Sequence, residues 1–342
     1  MPPPRMISLE PGFPYDVERN TWPWRPTPYI KPERMDSAVL PKISIVTPSF
    51  NQGAYIEETI RSVFLQGYPN LEYIIIDGGS TDGTLEIIKK YEPWLAYWES
   101  IPDRGQSHAI NKGIERANGD WVAWLNTDDI YLQGALFKVA LTIVQSPEPV
   151  SWVVGTTIMT DSNLSETGQF PPSLYTAPGR DVNYVTAGWV DFVSTKRSGI
   201  ALPQPSSFWK RDAVNQVGGI DETLQYAMDH ELYGRMARQG FRPVLIEEAL
   251  ACFRTHHQQK TSNFPIAFWN EELMIVHNWE SRVNGIERQK LESYGRWLNV
   301  YIKSYPCRSF LHNSQIQFMR ILKSRFGSIY NWLKNYYRKA DP

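Results

Sequence analysis

Trp121-Val122-Ala123-Trp124-Leu125-Asn126-Thr127-Asp128-Asp129 is an apolar run that stops on two adjacent carboxylates. A short run of this kind reads as a buried strand. At its end, Asp128 and Asp129 stand at the rim of a sheet, where α/β proteins hold ligands. Neighbouring carboxylates repel each other unless a cation or a shared proton relieves them. Oxygen ligation suits Mg2+ or Mn2+, above all when substrate phosphates complete the shell. An isolated Asp-Asp pair more often marks a solvated turn or a helix N-cap, so its meaning depends on the segments around it.

Upstream, strand and helix patterns alternate. Ile43 to Pro48 reads as a strand ended by proline, and Ile56, Ile60, Val63 and Phe64 then recur at helical spacing. Leu71 to Asp77 is strongly β-forming. Thr84 to Tyr91 reads as a short helix whose start is marked by Ser80, Thr81 and Asp82. Ala96 to Ser100 is a further strand, and Ile110, Ile114 and Ala117 mark the helix that precedes Trp121. This alternation predicts an α/β fold with a Rossmann-like, mostly parallel central sheet flanked by helices. Right-handed crossovers put every strand's C-terminal end on one edge. Three of those ends are polar: Thr47-Pro48-Ser49, Asp77-Gly78-Gly79-Ser80 and Asn126-Thr127-Asp128-Asp129. A ligand crevice is expected where they converge.

Downstream the alternation weakens. Trp152 to Thr160 reads as a strand and residues 161–203 as a loop-rich insertion. Helical patterns follow at Arg211 to Val217 and Met228 to Gln239, then a strand at Arg242 to Ile246, and from Phe264 the pattern is mainly helical. Three regions are expected: an arm over 1–41, a core domain over 42–262 divided at 130, and a helical C-terminal extension over 263–342. The arm holds ten of the chain's 25 prolines, which fix φ and remove backbone donors, so it is expected to be extended.

Composition narrows the class. The 342 residues are 42% hydrophobic and 21% charged, which suits a globular protein with a substantial core. A net charge of −1 gives no whole-chain field for nucleic acid. From Tyr301 to Pro342, however, eight Lys and Arg face one acid, Asp341. Ile321, Leu322, Phe326, Tyr330, Trp332 and Leu333 form an apolar stripe opposite those cations. Such a helix can lie on an anionic bilayer as a peripheral contact, or pack on the core domain or on a second subunit in a homo-oligomer. Cys252 and Cys307 form no metal or disulfide pattern. With no charged-then-apolar leader and no run of eighteen apolar residues, a cytoplasmic location is expected, peripheral to a membrane's inner face if the tail binds lipid.

At this point the residues resemble a known family. Thr47-Pro48-Ser49-Phe50-Asn51, the run Asp77 to Thr84, Asp103-Arg104-Gly105 followed by Asn111-Lys112-Gly113, and Asn126 to Asp129 occur in order. They resemble the nucleotide-sugar half of an inverting family 2 glycosyltransferase with a GT-A fold. Gln204 to Phe208, Gly218 to Asp221, Met228 to Leu232 and Phe253-Arg254-Thr255-His256 resemble that family's acceptor half. The resemblance covers residues 42 to 262. It implies sugar transfer from a nucleotide-diphosphate donor, a UDP-sugar, to a hydroxyl of a saccharide or lipid-linked glycan, assisted by Mn2+ or Mg2+.

Each site residue then carries an expectation beside a structural alternative. Asp77 can accept the imide proton of uracil or cap the following turn. Pro48, Ser49 and Gly78 would wall the base or simply end strands. Asp103 and Arg104 precede a helix, where Arg104 can pair with phosphate or form a surface salt bridge. Asn111 can reach the donor or bond the adjoining loop. In the family's Asp-x-Asp signature the first carboxylate is Asn126 here, which leaves open whether Asp128 or Asp129 binds metal directly. The resemblance makes His256 the third metal ligand. Asp229, at a helix start that favours a carboxylate, is the expected general base, with Glu231 as an alternative. Trp189, Trp209 and Tyr226 are candidate faces for an acceptor sugar. A nucleotidyltransferase and a non-catalytic sugar-nucleotide-binding scaffold are the competing readings. The first lacks a basic glycine-rich loop after the first strand, and the second would have lost Asp128, Asp129, Asp229 or His256.

Overall fold

The computed structural model describes Phe13, residues 21–24, 40–172, 202–260 and 265–282, and residues 285, 288, 289, 291, 292, 295, 296, 298–300, 302 and 303. Trp189 and the tail stripe from Ile321 to Leu333 lie outside the described residues, as does most of the proline-rich arm. Two compact units are distinguished, Met1–Glu271 and Glu272–Pro342. The second contains the later part of a helix, α7 (Pro265–Glu280), and helical residues as far as Lys303. No described helix is long and apolar enough to cross a membrane.

Among the described residues, the first unit is built on a nine-stranded sheet ordered β3-β2-β1-β4-β8-β6-β9-β5, with β7 paired to β6. β1 (Ile43–Ser49), β2 (Leu71–Asp77), β3 (Tyr97–Ser100) and β4 (Trp121–Trp124) form a parallel block. Their alternation with α1 (Ile56–Phe64), α2 (Thr84–Tyr91) and α3 (Gln106–Arg116) is the pattern expected from the sequence. β1 and β4 are buried along their whole length, as strands covered by helices on both faces must be. In the register Ser49 stands opposite Asp77, and Asp77 opposite Ser100. The polar strand ends therefore do share one rim.

Beyond β4 the sheet becomes mixed. β5 (Ile130–Tyr131), β7 (Glu166–Phe170) and β8 (Ser207–Lys210) run antiparallel to their neighbours, while β6 (Trp152–Thr160) and β9 (Pro243–Arg254) pair in parallel. β7 falls within the stretch read as loop-rich. It is mostly exposed and polar, so it carries no apolar run, and its strand geometry comes from pairing with β6. α4 (Ala135–Gln145) follows β5, while α5 (Arg211–Gln216) and α6 (Met228–Arg238) follow β8. Trp209 is fully buried and stacks on Trp124 at 4.6 Å between ring centroids, so it belongs to the core and not to a sugar-binding face.

The described parts of the N-terminal arm are docked through aromatic side chains. Phe13 makes edge contacts with Phe64, Tyr91 and Trp94. Arg61 of α1 is fully buried and donates to the carbonyls of Pro23 (3.2 Å) and Trp24 (2.8 Å) and to Tyr91 Oη (3.0 Å). Trp22 Nε1 donates to Tyr131 O at 2.8 Å. Prolines leave this segment few backbone donors, so its carbonyls and rings make the attachment.

Candidate active site

A cleft of about 860 Å³ opens at the rim of the parallel block. Eight of the expected residues line it: Pro48, Ser49, Gly78, Asp103, Asn126, Asp128, Tyr226 and Asp229. On the β1 side, Ser49 Oγ and Gln52 Oε1 are buried and have no hydrogen-bond partner among the described residues. Buried polar atoms left in that state are costly, and both residues line the cleft, where a ligand's polar atoms can meet them. Gly78 approaches the next loop so closely that a Cβ there would sit 3.0 Å from Asp103 Oδ2. Gly105 caps the start of α3 with φ +113°, a conformation that favours glycine, and a Cβ there would press on the Gln225 side chain.

Asp77 lies behind this wall, fully buried. Its carboxylate accepts from Gly79 N (3.1 Å), Ser80 N (2.8 Å), Ser80 Oγ (2.5 Å) and Ser100 Oγ (2.6 Å). The turn-capping role is therefore present in full. Arg104 is mostly exposed and forms an ion pair with Glu222. Asn111 bridges α3 to the Gly218–Asp221 loop, accepting from Ile220 N and donating to Ile220 O, both at 2.8 Å. Neither residue is on the cleft wall.

The carboxylate pair is split. Asp128 faces the cleft, and its Oδ2 is 3.0 Å from His256 Nε2. Gln258 N donates to His256 Nδ1 at 3.3 Å, which assigns the ring hydrogen to Nε2. The imidazole has no exposed surface and stacks near Tyr55, 4.3 Å between centroids. Asp129 points into the protein. Its Oδ1 accepts from Arg254 N at 3.0 Å, and its Oδ2 is buried without a partner. Burial, and then the charge of Asp128, hold this carboxyl well above the usual carboxylate range. Among the described residues no three Asp, Glu, His or Cys side chains converge as metal ligands. Asp128 and His256 do meet, although only Asp128 lines the cleft. With Nδ1 accepting from Gln258, the imidazole would have to give up its Nε2 hydrogen for the pair to share a hard cation that completes its shell with phosphate oxygens and water.

Asp229 is the second residue of α6, and its Oδ1 accepts from His230 N at 2.9 Å. The loop leading to it is fixed by a residue the sequence reading missed. Glu271 Oε1 accepts from Gln225 N (2.8 Å), and Oε2 accepts from Tyr226 N (2.7 Å) and Ala227 N (2.9 Å). An anion at these free N–H groups also complements the helix dipole. Glu231 is buried and bound to Arg235 Nε through both oxygens, at 2.8 and 2.7 Å. Arg235 in turn donates to the carbonyls of Val217 and Gly219. Glu231 is therefore engaged in structure and absent from the cleft wall.

A line of hydrogen bonds crosses the floor of the cleft. Lys260 Nζ donates to Gln106 Oε1 (3.2 Å), Gln106 Nε2 to Asn126 Oδ1 (2.8 Å), Asn126 Nδ2 to Gln204 Oε1 (3.2 Å), and Gln204 Nε2 to Trp124 O (2.8 Å). Lysine only donates and a carbonyl only accepts, so the direction of every amide between them is set. This accounts for Asn at position 126, because an aspartate there would have no hydrogen to give Gln204. Sequence spacing gave no sign of this line, whose members come from separate elements.

Residues 44–188 match the family model described as Glycosyl transferase family 2. An uncharacterized glycosyltransferase of Mycobacterium tuberculosis (strain CDC 1551 / Oshkosh) is 31% identical over 218 residues, covering 63% of this chain and 76% of the relative. Among solved structures, S. aureus TarS 1-349 in complex with UDP-GlcNAc aligns with a TM-score of 0.55 at 19% identity, over 77% of this chain and 73% of that one. The mannosyltransferase PcManGT from Pyrobaculum calidifontis in complex with GDP-Man and Mn2+ aligns with a TM-score of 0.53 at 16% identity, over 89% and 81%. At these identities the structural likeness speaks for the GT-A fold alone.

Proposed function

Because this chain belongs to glycosyl transferase family 2, we propose that it transfers a sugar from a UDP-linked donor to a hydroxyl of a saccharide or lipid-linked glycan, with inversion and with Asp229 as general base. Family membership removes the scaffold and nucleotidyltransferase readings. One observation carries the finer proposal. Asp229 shares a single cleft with Asp128 and with the Pro48, Ser49 and Gly78 wall, while the rival base Glu231 is occupied by Arg235.

In this reading the nucleoside lies along Pro48, Ser49 and Gly78, and the unpartnered Ser49 Oγ and Gln52 Oε1 support a polar ligand there. Asp128 and His256 would hold the divalent cation, which supplies charge neutralisation for the departing diphosphate. The unpartnered oxygen of Asp129 supports a role behind the site. Asp229 takes the proton from the acceptor hydroxyl as that oxygen bonds to the anomeric carbon. The bond from this carbon to the diphosphate oxygen breaks, and its electron pair leaves on the nucleoside diphosphate. A single displacement inverts the carbon. Asp229→Asn should leave UDP affinity within about twofold and lower transfer by about 10²-fold or more. Near-normal transfer by this variant would remove Asp229 from the chemistry.

A further inference from the structure

Lys260 stands on the cleft wall with no assigned role. Its ammonium donates to Gln106 Oε1 and to Gln225 O and lies 4.8 Å from the centre of the Tyr226 ring. An ammonium has three hydrogens, and among the described residues the third finds no protein acceptor. No carboxylate lies within ion-pair distance of it among the described residues either. A cation withdrawn from water and matched only with neutral acceptors is a standing cost to the fold. Burial accordingly holds its pKa below the usual lysine value, with the charge of Glu271 acting in the opposite sense. The cost is relieved when an anion enters the cleft.

The position of Lys260 says which anion. Gln106, its first acceptor, is the opening residue of α3, directly after the Asp103–Gly105 loop. Gln106 also bonds Asn126, two residues from Asp128. Gln225, its second acceptor, lies four residues before Asp229. The ammonium is thus anchored by both halves of the cleft, between the strand end that carries Asp128 and the helix that carries Asp229. That is where charge develops as the donor's leaving group departs.

We propose that Lys260 is the protein's own counter-charge for the donor diphosphate, so that diphosphate binding does not depend wholly on a cation at Asp128 and His256. This rests on the reading of a nucleotide-diphosphate donor. In the transfer Lys260 keeps its proton and donates a charge-assisted hydrogen bond to a phosphate oxygen, while the acceptor's proton goes to Asp229.

The test is calorimetric titration of the full chain and of Lys260→Met and Lys260→Arg, in EDTA and in Mn2+. UDP and GDP serve as probes, with uridine and guanosine as uncharged controls. In EDTA the wild type should bind diphosphate more tightly than nucleoside. Lys260→Met should weaken the diphosphate by about tenfold or more, the scale of one lost charge-assisted contact, and leave the nucleoside within about twofold. Lys260→Arg should recover part of the loss. Equal diphosphate affinity in wild type and Lys260→Met overturns the proposal, as does a parallel loss of nucleoside and diphosphate. Should Lys260→Met fail to fold, a salt series on the wild type decides: diphosphate affinity in EDTA must fall more steeply with NaCl than nucleoside affinity. If the wild type binds neither diphosphate, the donor reading itself fails, which is a separate result.

Discussion

Glu271→Ala removes a carboxylate that accepts three consecutive backbone N–H groups at 2.7–2.9 Å ahead of α6. Hydrogen bonds to a charged group contribute about 1.5–3 kcal/mol each. Bonds that share one carboxylate are not additive, and this partly buried loop can recover some hydration. Losing an ordinary N-cap costs about 0.5–2 kcal/mol. The structure therefore implies a loss of about 2–4 kcal/mol, or a fall in Tm on the order of 10 °C for a unit of this size. Glu271→Gln keeps one accepting oxygen and turns an NH2 toward the remaining donors, so it should fall between the two, at about 1–2 kcal/mol below wild type. The loop also aims Asp229, and a displacement of about 1 Å in a reacting group costs about 10²-fold in rate. Urea unfolding and steady-state transfer would be measured side by side, with UDP affinity as the control. An unchanged urea midpoint in Glu271→Ala would refute the reasoning about the cap. Lost stability with unchanged kcat would refute the link to Asp229.

Two further outcomes follow from the same geometry. Asp128→Asn should abolish the extra thermal stabilisation that Mn2+ gives to UDP-bound protein, whereas Asp129→Asn, whose side chain faces inward, should retain most of it; the reverse pattern would move the cation to Asp129. Glu72 provides a pH test. Burial raises its pKa, but hydrogen bonds from Lys42, Ser44 and Asn118 outweigh burial and bring it to about 2. Its contribution is complete above the ordinary value of 4.5 and is lost as pH falls toward 2. Glu72→Gln should therefore lower stability at pH 7 and lose less between pH 5 and pH 2 than the wild type, as urea midpoints across about pH 2–7 would show.

The first half of the core domain was largely legible in the sequence. Leu71–Asp77 and Thr84–Tyr91 fall where the apolar pattern put them, because local propensity, burial and the flanking turn residues agree there, and in the second half Trp152–Thr160 does so too. β5 was not legible, since two residues carry no period and its strand geometry comes from Ile130 and Tyr131 pairing with Cys252 and Ala251. β9 extends well past Ile246, through Glu247 and Glu248, where the register with β6 shifts and acids break the apolar run. α4 is apolar enough that periodicity alone does not separate it from a strand. At the cleft, short motifs at strand ends could be read as local chemistry. Glu271 and Lys260 could not, since each acts on a loop contributed by a distant part of the chain.

The match to the family begins at residue 44, whereas the folding unit does not. Arg61 lies inside the matched stretch and is completely buried, yet two of its acceptors are the carbonyls of Pro23 and Trp24. A fragment trimmed to the homologous residues would leave that guanidinium facing a vacated trough, with Phe64 and Tyr91 stripped of Phe13. Ancestry and solvation thus draw different borders on this chain. The upstream residues act as an adhesive cover, bringing carbonyls to the Arg61 guanidinium and a ring to Phe64 and Tyr91.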